Sequence, residues 1–89
     1  MNTYIQRKTM INWQDRIHTD PEILTGKPVI KGTRLSVEFL LGRLANGWTA
    51  QEIMENYPRL TPQDMQALFA YALDSLQDGL LHPVQKRSA

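Results

Sequence analysis

Thr61-Pro62-Gln63-Asp64-Met65-Gln66-Ala67-Leu68-Phe69-Ala70-Tyr71-Ala72-Leu73-Asp74-Ser75-Leu76 is the stretch that decides the fold. Thr61 offers an N-cap hydroxyl, Pro62 occupies the first helical position where a missing amide costs nothing, and Asp64 sits at the positive end of the helix dipole. Met65, Leu68, Phe69, Ala72 and Leu76 then recur at helical spacing and predict one apolar face over about four turns. Gly79 supplies a left-handed stop.

Working back from this helix, Tyr57-Pro58 closes a shorter one, because the residue before a proline is pushed out of the α region. Thr49 and Glu52 form a Thr-x-x-Glu capping box at its start, and Ile53, Met54 and Tyr57 give it an apolar side. Ser36 caps a further helix over 37–46, with Val37, Leu40, Leu41 and Leu44 facing a core and Gly47 ending it. Upstream, Arg16–Thr19 alternates like a short strand, Asp20-Pro21 and Thr25-Gly26-Lys27-Pro28 mark turns, and Val29-Ile30 reads as a second β segment closed by Gly32. The expectation is a mainly α chain: an N-terminal arm over 1–12, one domain over 13–80 with a β motif at 16–34 ahead of three helices, and a tail over 81–89. Leu80, Leu81 and Pro83 are candidates to pack back on the domain, and Met10 is a candidate translation start.

At 89 residues, 42% of them hydrophobic and 21% charged, the composition is that of a small globular domain with a limited core, which dimerisation would enlarge. No cysteine is present, which removes disulfides, thiolate nucleophiles and cysteine-ligated metal. No apolar run reaches the length of a signal h-region or a bilayer span, so a cytoplasmic location is expected. The net charge of +1 conceals an asymmetry. Residues 1–36 carry six basic and three acidic side chains, whereas 37–79 carry two basic and six acidic ones. A polyanion would therefore prefer the N-terminal half.

Catalysis finds little support. The two histidines, His18 and His82, have no companion nucleophile. His18 and Asp20 have the spacing of a ligand pair, but no second cluster completes a metal site. The Gly-Lys-Pro and Gly-Thr pieces lack the order of a phosphate loop, and Pro28 removes an amide such a loop would use. An enzyme is not expected, nor is a cofactor.

The second and third helices, joined through Tyr57–Thr61, are arranged as in a helix-turn-helix, although the connection is a little long for that motif. In that reading Gln63 and Gln66 approach base edges, and Arg59 or Thr61 contacts a phosphate. The third helix, however, has no Lys or Arg and three aspartates across its length and stop, which forfeits the electrostatic term that dominates DNA affinity. A packing role without DNA accounts for the helix equally well. Lys27, Lys31 and Arg34, clustered around one β segment, form the alternative electropositive surface.

The run from Ile17 to Arg34, and within it Gly26-Lys27-Pro28-Val29-Ile30-Lys31-Gly32-Thr33-Arg34, resembles the signature of the family known as domain of unknown function 433. Leu35-Ser36-Val37, Gly47-Trp48-Thr49 with Glu52-Ile53, and Tyr57–Thr61 with Asp64 follow in that family's order. The resemblance covers roughly 13–76. It implies a homeodomain-like helical fold behind a β element, often dimeric, with some members proposed as antitoxins to PIN-type ribonuclease toxins. No catalytic role attaches to Gly26, Lys27, Pro28, Gly32, Thr33 or Arg34. Since a PIN pocket is acidic and binds metal, charge alone makes Arg34, Lys86 and Arg87 candidates for blocking it. The leading expectation is thus an antitoxin-like protein that binds a toxin and also its own operator DNA as a dimer. The alternatives are a stand-alone dimeric DNA-binding regulator and a dimeric scaffold without a DNA role.

Overall fold

The structure, a computed structural model, describes residues 11–79. Lys86, Arg87, most of the expected arm and the packing expected of Leu80, Leu81 and Pro83 lie outside these residues. The strands and helices follow the expected order: strand β1 Ile17–His18, strand β2 Val29–Ile30, and helices α1 Val37–Ala45, α2 Ala50–Asn56 and α3 Pro62–Gln77; two 3-10 turns, Trp13–Asp15 and Leu24–Gly26, were not expected. The fold is mainly helical, with a small antiparallel sheet ahead of the helices. Ile11 and Asn12, expected at the end of the arm, belong to the described body: Asn12 caps the first 3-10 turn and Ile11 packs on the core.

β1 and β2 pair antiparallel with Ile17 opposite Ile30 and His18 opposite Val29. The chain then turns tightly, the Thr33 amide donating to the Ile30 carbonyl at 3.0 Å. Gly32 takes φ +81° at the third position of this turn, a conformation that costs glycine nothing and an L side chain a good deal. Leu35–Val37 runs back along β2: the Ile30 amide donates to the Leu35 carbonyl and the Val37 amide to the Pro28 carbonyl. A two-residue strand is marginal alone. Here it is bonded on both sides, and Val29 and Ile30 are fully buried.

Each helix starts where its cap dictates. Ser36 accepts from the Phe39 amide, and Thr49 and Glu52 form the expected capping box. Thr61 forms a second such box with Asp64. Gly47 at φ +97° follows α1 and lets the Trp48 amide bond back to the Arg43 carbonyl, the left-handed exit that frees the chain for α2. The core joins Ile17 and Ile30 of the sheet to Val37 and Leu40 of α1, Ile53 of α2, Leu60, and Met65, Ala67 and Leu68 of α3.

The buried face of α3 differs from the expected one. Met65 and Leu68 face inward, but Phe69 and Leu76 are 53% and 56% exposed, while Asp64, Ala67, Ala70 and Ser75 are buried. The helix is apolar on two sides. The inner side is built from small residues and an ion-paired carboxylate, and packs on the first 3-10 turn. There Trp13 stacks edge-on against Tyr71 with centroids 4.8 Å apart and donates its indole N–H to Asp74 at 2.7 Å. The outer side carries Phe69, Leu73 and Leu76.

Candidate partner-binding groove

The five exposed large hydrophobic residues among those described are Leu24, Phe39, Phe69, Leu73 and Leu76. The last three form the outer stripe of α3. Leu24 and Phe39 both line a hollow of about 520 Å³, together with Thr25, Lys27, Arg34, Leu35 and Ser36. A second hollow of about 540 Å³ is lined by Gly32, Thr33, Arg34, Leu35, Asn56, Tyr57, Pro58 and Arg59. Arg34 and Leu35 line both, so the two hollows adjoin as compartments of one shallow groove that Arg34 borders on either side.

Local structure explains the walls. The Asp20 carboxylate accepts from the Glu22 amide and the Asp20 carbonyl from the Ile23 amide, which turns the chain sharply after β1. Leu24 and Thr25 then take φ +49° and +54°. Two successive non-glycine residues in the left-handed region cost about 1–2 kcal/mol each. The Gly26 amide bonding to the Ile23 carbonyl and the Lys27 amide to the Leu24 carbonyl hold them there. That arrangement leaves Leu24 39% exposed at the groove rim. Backbone strain of this kind gathers where a structure binds something.

The opposite wall is aromatic. Arg43 of α1 lies with its guanidinium carbon 4.8 Å from the ring centroids of both Phe39 and Trp48, and Phe39 meets Tyr57 edge-on at 5.9 Å. The Arg43 Nε is buried without a hydrogen-bond partner, and the two ring faces are its electrostatic compensation. Phe39 is therefore fixed in place while 38% exposed.

The rim is cationic. Lys27 pairs with Glu38 at 3.1 Å in a largely exposed contact that holds little energy. Arg59 donates to the Gly32 carbonyl at 2.7 Å, tying the loop after α2 to the turn after β2. Arg34 is exposed and forms no ion pair with another described residue.

The residues singled out from sequence are thus divided. Lys27, Arg34 and Arg59 share the groove. Lys31 does not join them: it lines a separate hollow with Asn12, Asp15, Arg16 and Asp64. Thr61 is occupied, its hydroxyl accepting from the Asp64 amide and from Arg16 at 3.4 Å. Gln63 and Gln66 are exposed on α3. Leu24, Phe39 and Tyr57 were missed as site residues. A leucine beside a turn glycine and an aromatic residue outside the helical stripe were the only signals for them. Among the described residues no group of three His, Cys, Asp or Glu side chains is placed to hold a metal ion, and no helix is long and apolar enough to cross a membrane.

A family model described as "Protein of unknown function (DUF433)" matches residues 17–72, from β1 well into α3. The chain belongs to the DUF433 family. The match contains the whole groove, including Leu24, Arg34, Phe39 and Arg59, and so both compartments lie within the DUF433 region. Among solved structures, the chain is similar to a DUF433 member protein from Anabaena variabilis, with TM-score 0.67 and 29% identity over 73% of this chain. The chain spans 64% of that protein's length. Among curated proteins no match is found.

Proposed function

We propose that the protein is an antitoxin-like partner-binding protein of the cytoplasm that docks a PIN-type ribonuclease through the face centred on Arg34. The observation that carries this reading is the groove itself: an apolar floor with a rim of Lys27, Arg34 and Arg59. An acidic nuclease surface is complementary to such a rim, and Arg34, which has no ion pair with another described residue to give up, is the side chain best able to reach a carboxylate-lined pocket. Pairing with a second copy belongs to the same reading. It is supported by the outer stripe of α3, where Phe69, Leu73 and Leu76 recur at i, i+4 and i+7 beside Gln66 and Gln77 without a charged neighbour on the stripe.

The deciding experiment is affinity capture of the tagged protein from its native cytoplasm, with nuclease present, followed by mass spectrometry. Stoichiometric recovery of a PIN-type protein supports the reading. Recovery of the chain alone removes it and favours an operator-binding regulator. That second reading draws on the exposed Gln63 and Gln66 in the first turns of α3 and on Lys27, Lys31 and Arg34; salt-sensitive binding to upstream DNA would establish it.

A further inference from the structure

The groove has features that specify what it takes, and these deepen the partner-binding reading on which the inference rests. We infer that the Arg34 groove is a site for an extended acidic segment of a partner protein, one that seats an apolar side chain against Leu24, Leu35 and Phe39 and sets carboxylates along Lys27, Arg34 and Arg59.

The floor and the rim make different demands. Leu24, Leu35 and Phe39 present carbon to the first compartment, and Leu35, Tyr57 and Pro58 do so in the second. An inorganic anion or a phosphate backbone gains nothing from those surfaces. An aliphatic or aromatic side chain removes them from water at about 25 cal/mol per Å². The rim then selects for charge. Arg34 borders both compartments, and its planar fork takes a carboxylate in two parallel hydrogen bonds. Lys27 is held only by an exposed pair with Glu38, which an incoming carboxylate can replace at small cost.

The chain's own composition disfavours two occupants. Its C-terminal residues carry Lys86 and Arg87, the same sign as the rim. A long polyanion would also meet the field of the acidic helical half, which has six acidic and two basic side chains over 37–79. A short acidic segment senses mainly the local cations, since screening confines their influence to roughly 8 Å at physiological salt. The left-handed pair Leu24-Thr25 supplies the last element, because it holds the anchor-contacting side chain at the rim in the free protein.

The test is titration of the isotope-labelled full chain, followed by amide chemical shifts. The probes are synthetic peptides in which Leu or Phe alternates with Asp or Glu, the matched peptides with Lys in place of the acids, and oligodeoxythymidine. The expected result is saturable shifts at Leu24, Thr25, Leu35, Phe39 and Tyr57 with the acidic peptides alone, weakened by salt. Arg34→Glu should lower the affinity at least about tenfold, as loss of a charge-assisted hydrogen bond does. Arg34→Lys should retain part of it, and circular dichroism establishes that both variants are folded. Binding of the lysine peptides as well as the acidic ones would overturn the inference. So would stronger shifts with oligodeoxythymidine, no saturable shift in the groove, or groove shifts that follow protein concentration alone and so report a second copy. A captured ribonuclease that binds Arg34→Glu undiminished would remove the groove as its site and leave the partner-binding reading standing. Failure to capture any partner would remove that reading, and the peptide titration would still decide the groove.

Discussion

The Arg16 guanidinium stands 3.0 Å from the Asp64 carboxylate, and this pair joins the segment entering β1 to the first turn of α3. Asp64 does three things at once: it accepts from the Thr61 amide, lies over the positive end of the helix dipole, and neutralises Arg16. Its side chain is 10% exposed and that of Arg16 35%, so the contact is only partly screened by water. Asp64→Ala removes the reciprocal half of the capping box, the bond from the Thr61 amide, and leaves the arginine without its carboxylate. A loss of about 2–3 kcal/mol follows from one capping interaction plus one hydrogen bond to a charged group. Urea unfolding should show a lower midpoint at unchanged slope.

Trp13 closes the opposite end of the same helix face. Trp13→Phe keeps the edge-on contact with Tyr71 but loses the bond to Asp74, and should cost about 1 kcal/mol. Trp13→Ala removes both and should cost roughly 3 kcal/mol. Thermal unfolding of the two variants side by side separates the hydrogen bond from the packing.

The Arg43 sandwich is a stability element within a helix rather than a surface charge. Arg43→Leu keeps much of the stem but gives up two ring contacts, with an expected cost of about 1–2 kcal/mol. Because Trp48 is one of the rings, its fluorescence spectrum should shift in the folded variant even where the midpoint moves little.

Thr25→Gly tests the strained rim. Glycine enters the left-handed region freely, so relief of about 1 kcal/mol of strain competes with the entropy glycine loses on folding. Stability should rise slightly or stay level in calorimetry. Loss of more than about 1 kcal/mol would mean that the Thr25 hydroxyl, which donates to the Leu24 carbonyl at 2.6 Å, outweighs the strain.

The outer stripe of α3 predicts oligomeric state. If Phe69, Leu73 and Leu76 meet their counterparts across a two-fold axis, Leu73→Glu should convert a dimer to a monomer in light scattering while leaving the helical spectrum intact. Monomeric wild-type protein at all concentrations would retire this surface.

The helix starts were legible because each is local: Ser36, Thr49 and Thr61 act on amides three residues away, and a capping motif needs no knowledge of the rest of the chain. The short strands were legible for a similar reason, from alternation and turn chemistry. The orientation of α3 was not. Phe69 and Leu76 satisfy the helical period as well as Met65 and Leu68 do, and periodicity cannot choose between two apolar sides. The choice is made by Arg16 and Trp13, distant in sequence, whose partners Asp64 and Asp74 lie on the inner side. The site divided along the same line. Lys27 and Arg34 were visible as cations near one turn, but Lys31 extends to another face. The groove's apolar floor depends on a loop, Leu24–Gly26, in which Gly26 announced a turn but neither Leu24 nor Thr25 announced its left-handed backbone.

The bond from Arg59 to the Gly32 carbonyl has a consequence for timing. It links the loop before α3 to the turn after β2, both of which line the second compartment, so this edge of the groove is tied in the free protein. On the proposed docking reading an incoming segment meets a formed cleft, and the ordering falls on that segment rather than on the protein. Arrival should then be governed by diffusion and charge, and differences among partners should appear chiefly in how long each complex lasts.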